Sequence, residues 1–363
     1  MATDLERRAM VEVFNKKASP TMFLSGLAQT PERNISDTTK VVMDIKRHGE
    51  DIAIDVVRGT HGRGNIRKRF TTKEYIPPVY DEYAWMNENE LLLNRMAGRT
   101  EYDPVLMADI LDIITDDMVT LNDKIDRAKE KQASDALFGG TIPLVNGDTI
   151  DFKQKATHQT NSAALGNAVW SNAAGDPDDD LQQLCTLNRK DGLGTSTDTI
   201  FGETAWKLYK NNTKVQTKTN FRRADLITIR PPEMNADGAN FQGQITVGEY
   251  NLNVWTYPQF YLVPTGFGLP NEGTKVPYVP TSKVWVGRIG ARMDWLYAGI
   301  AKLVPADPRL ESIGLGNVPM TFRGERHLYG AVDFFGENAK YGVKSAPVFV
   351  PTDIDSFSVI TVA

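Results

Sequence analysis

The densest run of metal-type ligands in the sequence is Asp176-Pro177-Asp178-Asp179-Asp180, whose carboxylates suit Ca²⁺ or Mg²⁺. Its spacing argues against a metal loop. An EF-hand needs ligands at regular offsets and a distal bidentate Glu, and neither follows. Acids in a first helical turn complement the helix dipole, and proline is favoured at the first helical position. The run is therefore expected to open a helix reaching about Lys190. Three glycine clusters, Gly62-Arg63-Gly64, Gly192-Leu193-Gly194 and Gly266-Phe267-Gly268, raise the question of a phosphate cradle. None reads GxGxxG between a strand and a helix, and none reads GxxxxGK[ST]. The second follows a helix, whereas a cradle aims N–H groups from a helix N-terminus. All three read as turns. The histidines, His48, His61, His158 and His327, lie on separate segments, without HExxH and away from any GxSxG.

The single cysteine, Cys185, excludes an intrachain disulfide and a CxxC knuckle. It shares an apolar phase with Leu181, Leu184 and Leu187, so a buried thiol is expected. No catalytic, cofactor-binding or metal-binding residue is expected. The remaining chemical feature is a basic stretch: Arg58, Arg63, Arg67, Lys68, Arg69 and Lys73, with no acid among them. It lacks the dense aromatic interleaving of single-strand nucleic-acid binders. A solvated flank is one reading. Pairing with acids on a neighbouring subunit, which would fix register and partner choice, is preferred.

The elements that carry these residues follow from composition and periodicity. The 363 residues are 41% hydrophobic and 24% charged, an ordinary globular balance with length for more than one lobe. A formal charge of -5 argues against a chain that grips nucleic acid by counterion release. No stretch approaches the ~18 apolar residues of a membrane span, and the charged start Met1–Arg8 does not read as a signal peptide.

Residues 4–16 suggest a short amphipathic helix with Leu5 and Phe14 in its apolar set, too short to be stable alone. Val41, Met43 and Ile45 alternate with polar residues, as do Ile52, Ile54 and Val56 beyond a turn at residues 48–51. Extended chain resumes from Phe70 and ends at Pro77-Pro78. Such a ribbon has too little core by itself and must lie on a neighbour. The strongest helical signal is residues 103–138, where Leu106, Ile110, Ile114, Met118, Leu121, Ile125 and Ala128 recur at steps of three or four. Strands are expected at Thr149–Lys153, Thr199–Phe201, Gln244–Val247, Leu252–Tyr257, Phe260–Val263, Val284–Gly287, Val348–Val350 and Phe357–Val362, with a short helix at Ala205–Asn211. The class is α+β.

This order resembles the Hong Kong ninety-seven fold of tailed-phage major capsid proteins, most closely the lambda-type family. Three local points carry the likeness: the Asp176-Pro-Asp-Asp-Asp-Leu start after Trp170, the strand-rich stretch Ile245–Gly287, and Ser345–Asp353 leading to Asp355-Ser356-Phe357.

The resemblance implies an N-arm at 1–39, an E-loop at 40–80, and a peripheral domain at 81–176 with its spine helix at 103–138. It further implies a mainly axial domain at 177–335, and C-terminal strands at 336–363 that return to the peripheral domain. It implies a siphovirus-like virion shell of hexamers and pentamers around double-stranded DNA, expanding from a procapsid assembled in the host cytoplasm. Partners would be further copies of itself, a separate scaffolding protein, a portal protein and a decoration protein, with no membrane and no cofactor. Leu5, Phe14, Arg58, Arg63, Arg67, Lys68, Arg69 and Lys73 would then be inter-subunit contacts. A tail-tube subunit and a hydrolase using scattered Asp and His residues are the alternatives.

Overall fold

The computed structural model describes residues 20–45, 71–87, 107–145, 147–192, 194–221, 227–228, 233–234, 238–267, 269–305, 317–332 and 338–362. Two 3-10 turns, Ser25–Leu27 and Glu32–Asn34, precede strands β1 (Val41–Ile45), β2 (Thr71–Tyr75) and β3 (Tyr80–Asn87). Helix α1 (Met107–Gly139) leads to β4 (Thr141–Pro143), β5 (Thr149–Asp151) and β6 (Gln159–Asn161). Helix α2 (Pro177–Gly192), strand β7 (Asp198–Phe201) and helices α3 (Glu203–Asn211) and α4 (Thr213–Phe221) follow. Next come β8 (Ile227–Thr228), β9 (Glu233–Met234), β10 (Asn240–Val247), β11 (Tyr250–Thr256), β12 (Phe260–Leu262) and β13 (Lys275–Pro277). The chain closes with β14 (Lys283–Gly287), β15 (Met293–Tyr297), β16 (Ile300–Pro305), β17 (Asn317–Phe322), β18 (His327–Val332), β19 (Asn338–Ser345), β20 (Pro347–Pro351) and β21 (Ser358–Thr361).

The main sheet runs β6-β21-β14-β7-β11-β10-β8, with β9 also on β10. It is a wall between two cores, and the sequence of its central strand shows why. In β14, Val284, Trp285 and Val286 are all buried, and the period of two sends them to opposite faces. Val284 and Val286 pack with Leu181, Leu184 and Cys185 of α2. Trp285 packs with Phe357 and the end of α1. Neighbouring strands repeat the division, with Ile200 and Val359 on the α1 side and Phe201 and Ile360 on the α2 side. A sheet covered on both faces carries continuous apolar runs instead of alternation.

Helix α1 has 33 residues and spans about 50 Å at ~1.5 Å per residue. The expected N-cap, Asp103-Pro104, lies outside the described residues. The C-terminus stops where Gly140 adopts φ +66°, with its N–H bonded to Ala136 O at 3.1 Å. The acids of α2 sit in its first turn, and Asp176 Oδ1 accepts the Asp179 N–H at 3.3 Å. Cys185 is fully buried, and burial pushes its thiol up to about 12. Thiol reagents are therefore expected to label it only on unfolding, and rapid labelling by Ellman's reagent in native buffer would contradict this packing.

Several elements differ from the expectation. Among the described residues β1 pairs with β2, Val41 opposite Tyr75 and Ile45 opposite Thr71; the strand expected at 52–56 lies outside them. Residues 46–70 lie outside the described part. Pro77-Pro78 separates two strands instead of ending the extended chain, since β3 resumes at Tyr80. Helix α4 was not anticipated because Thr213–Phe221 is mostly polar and offers no clean apolar stripe. Nor was β15, where four of five residues are buried and alternation vanishes. Strand β19 pairs with both β18 and β3. Those pairings join segments on both sides of the expected 335/336 boundary.

Candidate assembly surfaces

Two features could position one subunit against another: a strap near the N-terminus held on α1, and an aromatic face on the β18-β19-β3 sheet. The strap begins with an electrostatic problem. Over its last turns α1 buries Lys129, Glu130, Gln132 and Ser134 together with Ala133, Ala136, Leu137 and Phe138. A buried carboxylate needs donors. Glu130 finds them in the Leu24 and Ser25 N–H groups, each 2.8 Å away. Burial pushes the Glu130 carboxyl above its ordinary range, while the Ser25 and Leu24 hydrogen bonds pull the other way. Lys129 donates to Tyr297 Oη at 2.8 Å and lies 4.9 Å from the Trp295 ring centroid. Burial lowers its pKa. Trp295 Nε1 donates to Ser25 O at 3.0 Å, and Ser36 N to Tyr297 O at 2.8 Å. Residues 23–36 thus run along α1 and β15, with Phe23 and Leu24 in the core.

The aromatic face arises from alternation. One side of the β18-β19-β3 sheet is covered by α1 through Leu121, Ile125 and Val343, with Tyr80, Ala84 and Met118 around them. The other side carries Asp81, Tyr83 and Trp85 from β3, Lys340, Gly342 and Lys344 from β19, and Tyr329 from β18. Lys340 Nζ sits 3.6 Å from the Tyr83 centroid, 5.5 Å from Trp85 and 5.8 Å from Tyr329. Lys344 Nζ lies 5.0 Å from Tyr329 and 2.9 Å from Asp81, which also accepts the Tyr329 hydroxyl at 2.6 Å. Burial pushes the Asp81 carboxyl up, but the Tyr329 and Lys344 hydrogen bonds outweigh it and hold it below the usual carboxylate range. Gly342 permits this packing. A Cβ there would meet Glu82 O at 2.6 Å, Tyr329 Oη at 2.8 Å and Tyr83 Cβ at 2.8 Å. The Gly342→Ala change is expected to lose about 1–3 kcal/mol through overpacking. A denaturation midpoint equal to the parent's would show that the rings can move aside freely.

Among the described residues the histidines form no catalytic set. His158 is fully buried, with Nδ1 2.9 Å from Phe357 O and Nε2 3.2 Å from Asp191 Oδ2, so both ring nitrogens are occupied. His327 stacks on Phe322 at 4.6 Å. No group of three metal-type ligands occurs among the described residues. Within Asp176–Asp180, Asp180 is buried and accepts from Trp170 Nε1 at 2.7 Å and Asn167 Nδ2 at 2.7 Å. A groove of about 1140 Å³ between α2 and β6 is lined by amides and hydroxyls such as Gln159, Thr160 and Gln183 together with apolar side chains such as Leu165, Val169 and Leu187.

Of the contacts expected from sequence, Leu5, Phe14, Arg58, Arg63, Arg67, Lys68 and Arg69 lie outside the described residues. Lys73 lies on β2 opposite Met43. Sequence reading missed Glu130, because a charge inside an apolar phase reads as a solvent position. It missed the aromatic face as well. The period-two spacings Asp81-x-Tyr83-x-Trp85 and Lys340-x-Gly342-x-Lys344 were the available signal.

A model of the family described as phage major capsid protein E matches residues 6–321. No curated protein matches the chain. A protein described as the capsid protein of a prophage from Escherichia coli CFT073 is similar in structure, with 17% identity, a TM-score of 0.55, and 81% of this chain and 80% of that one covered. A phage-related protein of Bordetella bronchiseptica RB50 gives 11% identity and a TM-score of 0.45 over 98% and 95% of the two chains. The capsid of Myoviridae phage XM1 gives 9% and 0.44 over 97% and 95%.

Proposed function

This chain belongs to the phage major capsid protein E family, and from that premise we propose that it closes as hexamers and pentamers into an icosahedral head shell around double-stranded DNA. Its fold is α+β of the Hong Kong ninety-seven type, and it is a phage major capsid protein, a subunit of the head shell. Its role is structural, with no catalysis. It assembles in the host cytoplasm with a separate scaffolding protein, receives DNA through a portal protein, expands from a procapsid and is reinforced by a decoration protein. In this reading residues 1–39 form the N-arm, 40–80 the E-loop, 81–176 the peripheral domain, 177–335 mainly the axial domain and 336–363 its returning strands.

The observation that carries this reading is the β1–β2 pair. Among the described residues it is a two-stranded sheet whose base is held on this subunit, Val41 against Ala298, Ile300 and Ala346 and Tyr75 against Phe152, and residues 46–70 connect Ile45 to Thr71 at its other end. Two-stranded ribbons are marginal without a surface to lie on. Beyond that base a neighbouring subunit supplies the surface, with Arg58, Arg63, Arg67, Lys68, Arg69 and Lys73 meeting its acids, and Leu5 and Phe14 anchoring the arm. Each such interface is modest, at about 800 Å² per partner, but repetition around a closed shell multiplies their effect. Co-expression with the cognate scaffolding protein tests the proposal. Negative-stain images are expected to show closed shells; tubes would favour a tail role, and a monomer under every condition would overturn it.

A further inference from the structure

On the open side of the β18-β19-β3 sheet, Trp85 is 58% and Tyr83 45% exposed. Contiguous exposed aromatic surface on a soluble protein marks an interaction site, and Trp and Tyr are the residue types that dominate binding energy at interfaces. The arrangement also says what kind of group fits. Lys340 Nζ lies over Tyr83 at 3.6 Å, and among the described residues no carboxylate is within ion-pair distance of it. Lys344 shares its charge with Asp81 at 2.9 Å. Among the described residues the face thus presents one ammonium that makes no ion pair, felt only at longer range by Asp81 and set among three rings. It fits an anionic group beside an apolar one.

A nucleobase is the weaker candidate for that place. Base stacking needs a free ring face. The Tyr83 face is already covered by Lys340, and Tyr83 and Trp85 meet edge to face at 89°. A protein surface that brings a carboxylate suits it better. This chain is itself such a partner, with 46 acids against 41 bases. In a shell built from one protein, the neighbour of every copy is another copy.

We infer that the Tyr83–Trp85–Tyr329–Lys340 face is an inter-subunit contact, receiving a carboxylate-bearing surface of a second copy of this chain. The inference rests on the capsid reading and adds a surface distinct from residues 1–39 and 46–70. The pairing is heterologous, one face against a different face, which closes into rings and shells when the rotation allows.

The test uses assembled particles of the full chain. With p-benzoylphenylalanine at position 85, irradiation is expected to give chain–chain dimers whose peptide map joins residue 85 to an acidic peptide of another copy. Lys340→Glu, which adds like charge, and Trp85→Ala are each expected to lower particle yield at least tenfold. The isolated subunits of both variants should keep the parent's circular dichroism and melting, because the two side chains lie on the surface. Wild-type particle yields from both variants would overturn the inference while leaving the capsid reading intact. Crosslinks that go to DNA or to a different protein would do the same. A wild-type chain that never associates would overturn both.

Discussion

Replacing residues 46–70 with Asn-Gly will leave a folded subunit that does not assemble. The register makes the excision feasible. Ile45 and Thr71 are directly opposite in the antiparallel β1–β2 pair, and a two-residue Asn-Gly turn joins strands at that spacing with the twist they require. The described residues by themselves supply a core on each face of the main sheet. The change removes Arg58, Arg63, Arg67, Lys68 and Arg69 together. If these side chains and the segment that carries them hold neighbouring copies, the repeated interface is lost everywhere in the shell. Multivalent association then falls by about two orders of magnitude or more. Particle yield from sedimentation, beside the melting curve of the soluble subunit, measures both halves. Normal particles from the shortened chain would show that assembly lies elsewhere.

The second large effect is expected at Glu130. In the Glu130→Ala variant the Leu24 and Ser25 N–H groups remain buried without an acceptor. A buried orphan donor costs about 1–3 kcal/mol, so the pair costs about 2–6 kcal/mol, partly offset by removing a buried carboxylate. For a chain this long that is a fall in Tm of about 3–8 °C. Glu130→Gln keeps one acceptor oxygen and should lose less. The pH dependence separates the charge from the packing. Burial sets the folded carboxyl above its ordinary 4.5, so the folded state holds this proton more tightly than the unfolded chain does. That contribution is complete below about pH 4.5 and is lost as pH rises through the folded value. The stability gap between wild type and Glu130→Gln should therefore narrow as pH rises. A gap that widens would reverse the assignment of burial as the dominant influence.

The two predictions mark where the sequence was informative. The α1 periodicity from Ile114 to Ile125 was legible because one face of that stretch meets a sheet and the other meets water. Beyond Ala128 the helix is enclosed on nearly every side, and Glu130 interrupts the apolar phase, so the strap it holds was invisible. Alternation located β10 and β11, where buried and exposed residues take turns. It failed at β15, buried on both faces. The long-range pairing of β19 with β3 leaves no local trace, and the aromatic face exists only once those strands are side by side. The family likeness rested on segments such as Val284–Gly287 and Pro347–Pro351, whose strands lie inside the molecule.

The central claim is that this subunit closes a shell through extended segments laid on neighbours. A cryo-electron reconstruction of particles assembled from the intact chain tests it most directly. The account predicts a closed icosahedral shell in which residues 46–70 of each subunit lie across an adjacent copy, with their basic side chains against its acids. Tubes or open filaments, or a closed shell in which residues 46–70 touch only their own subunit, would contradict it.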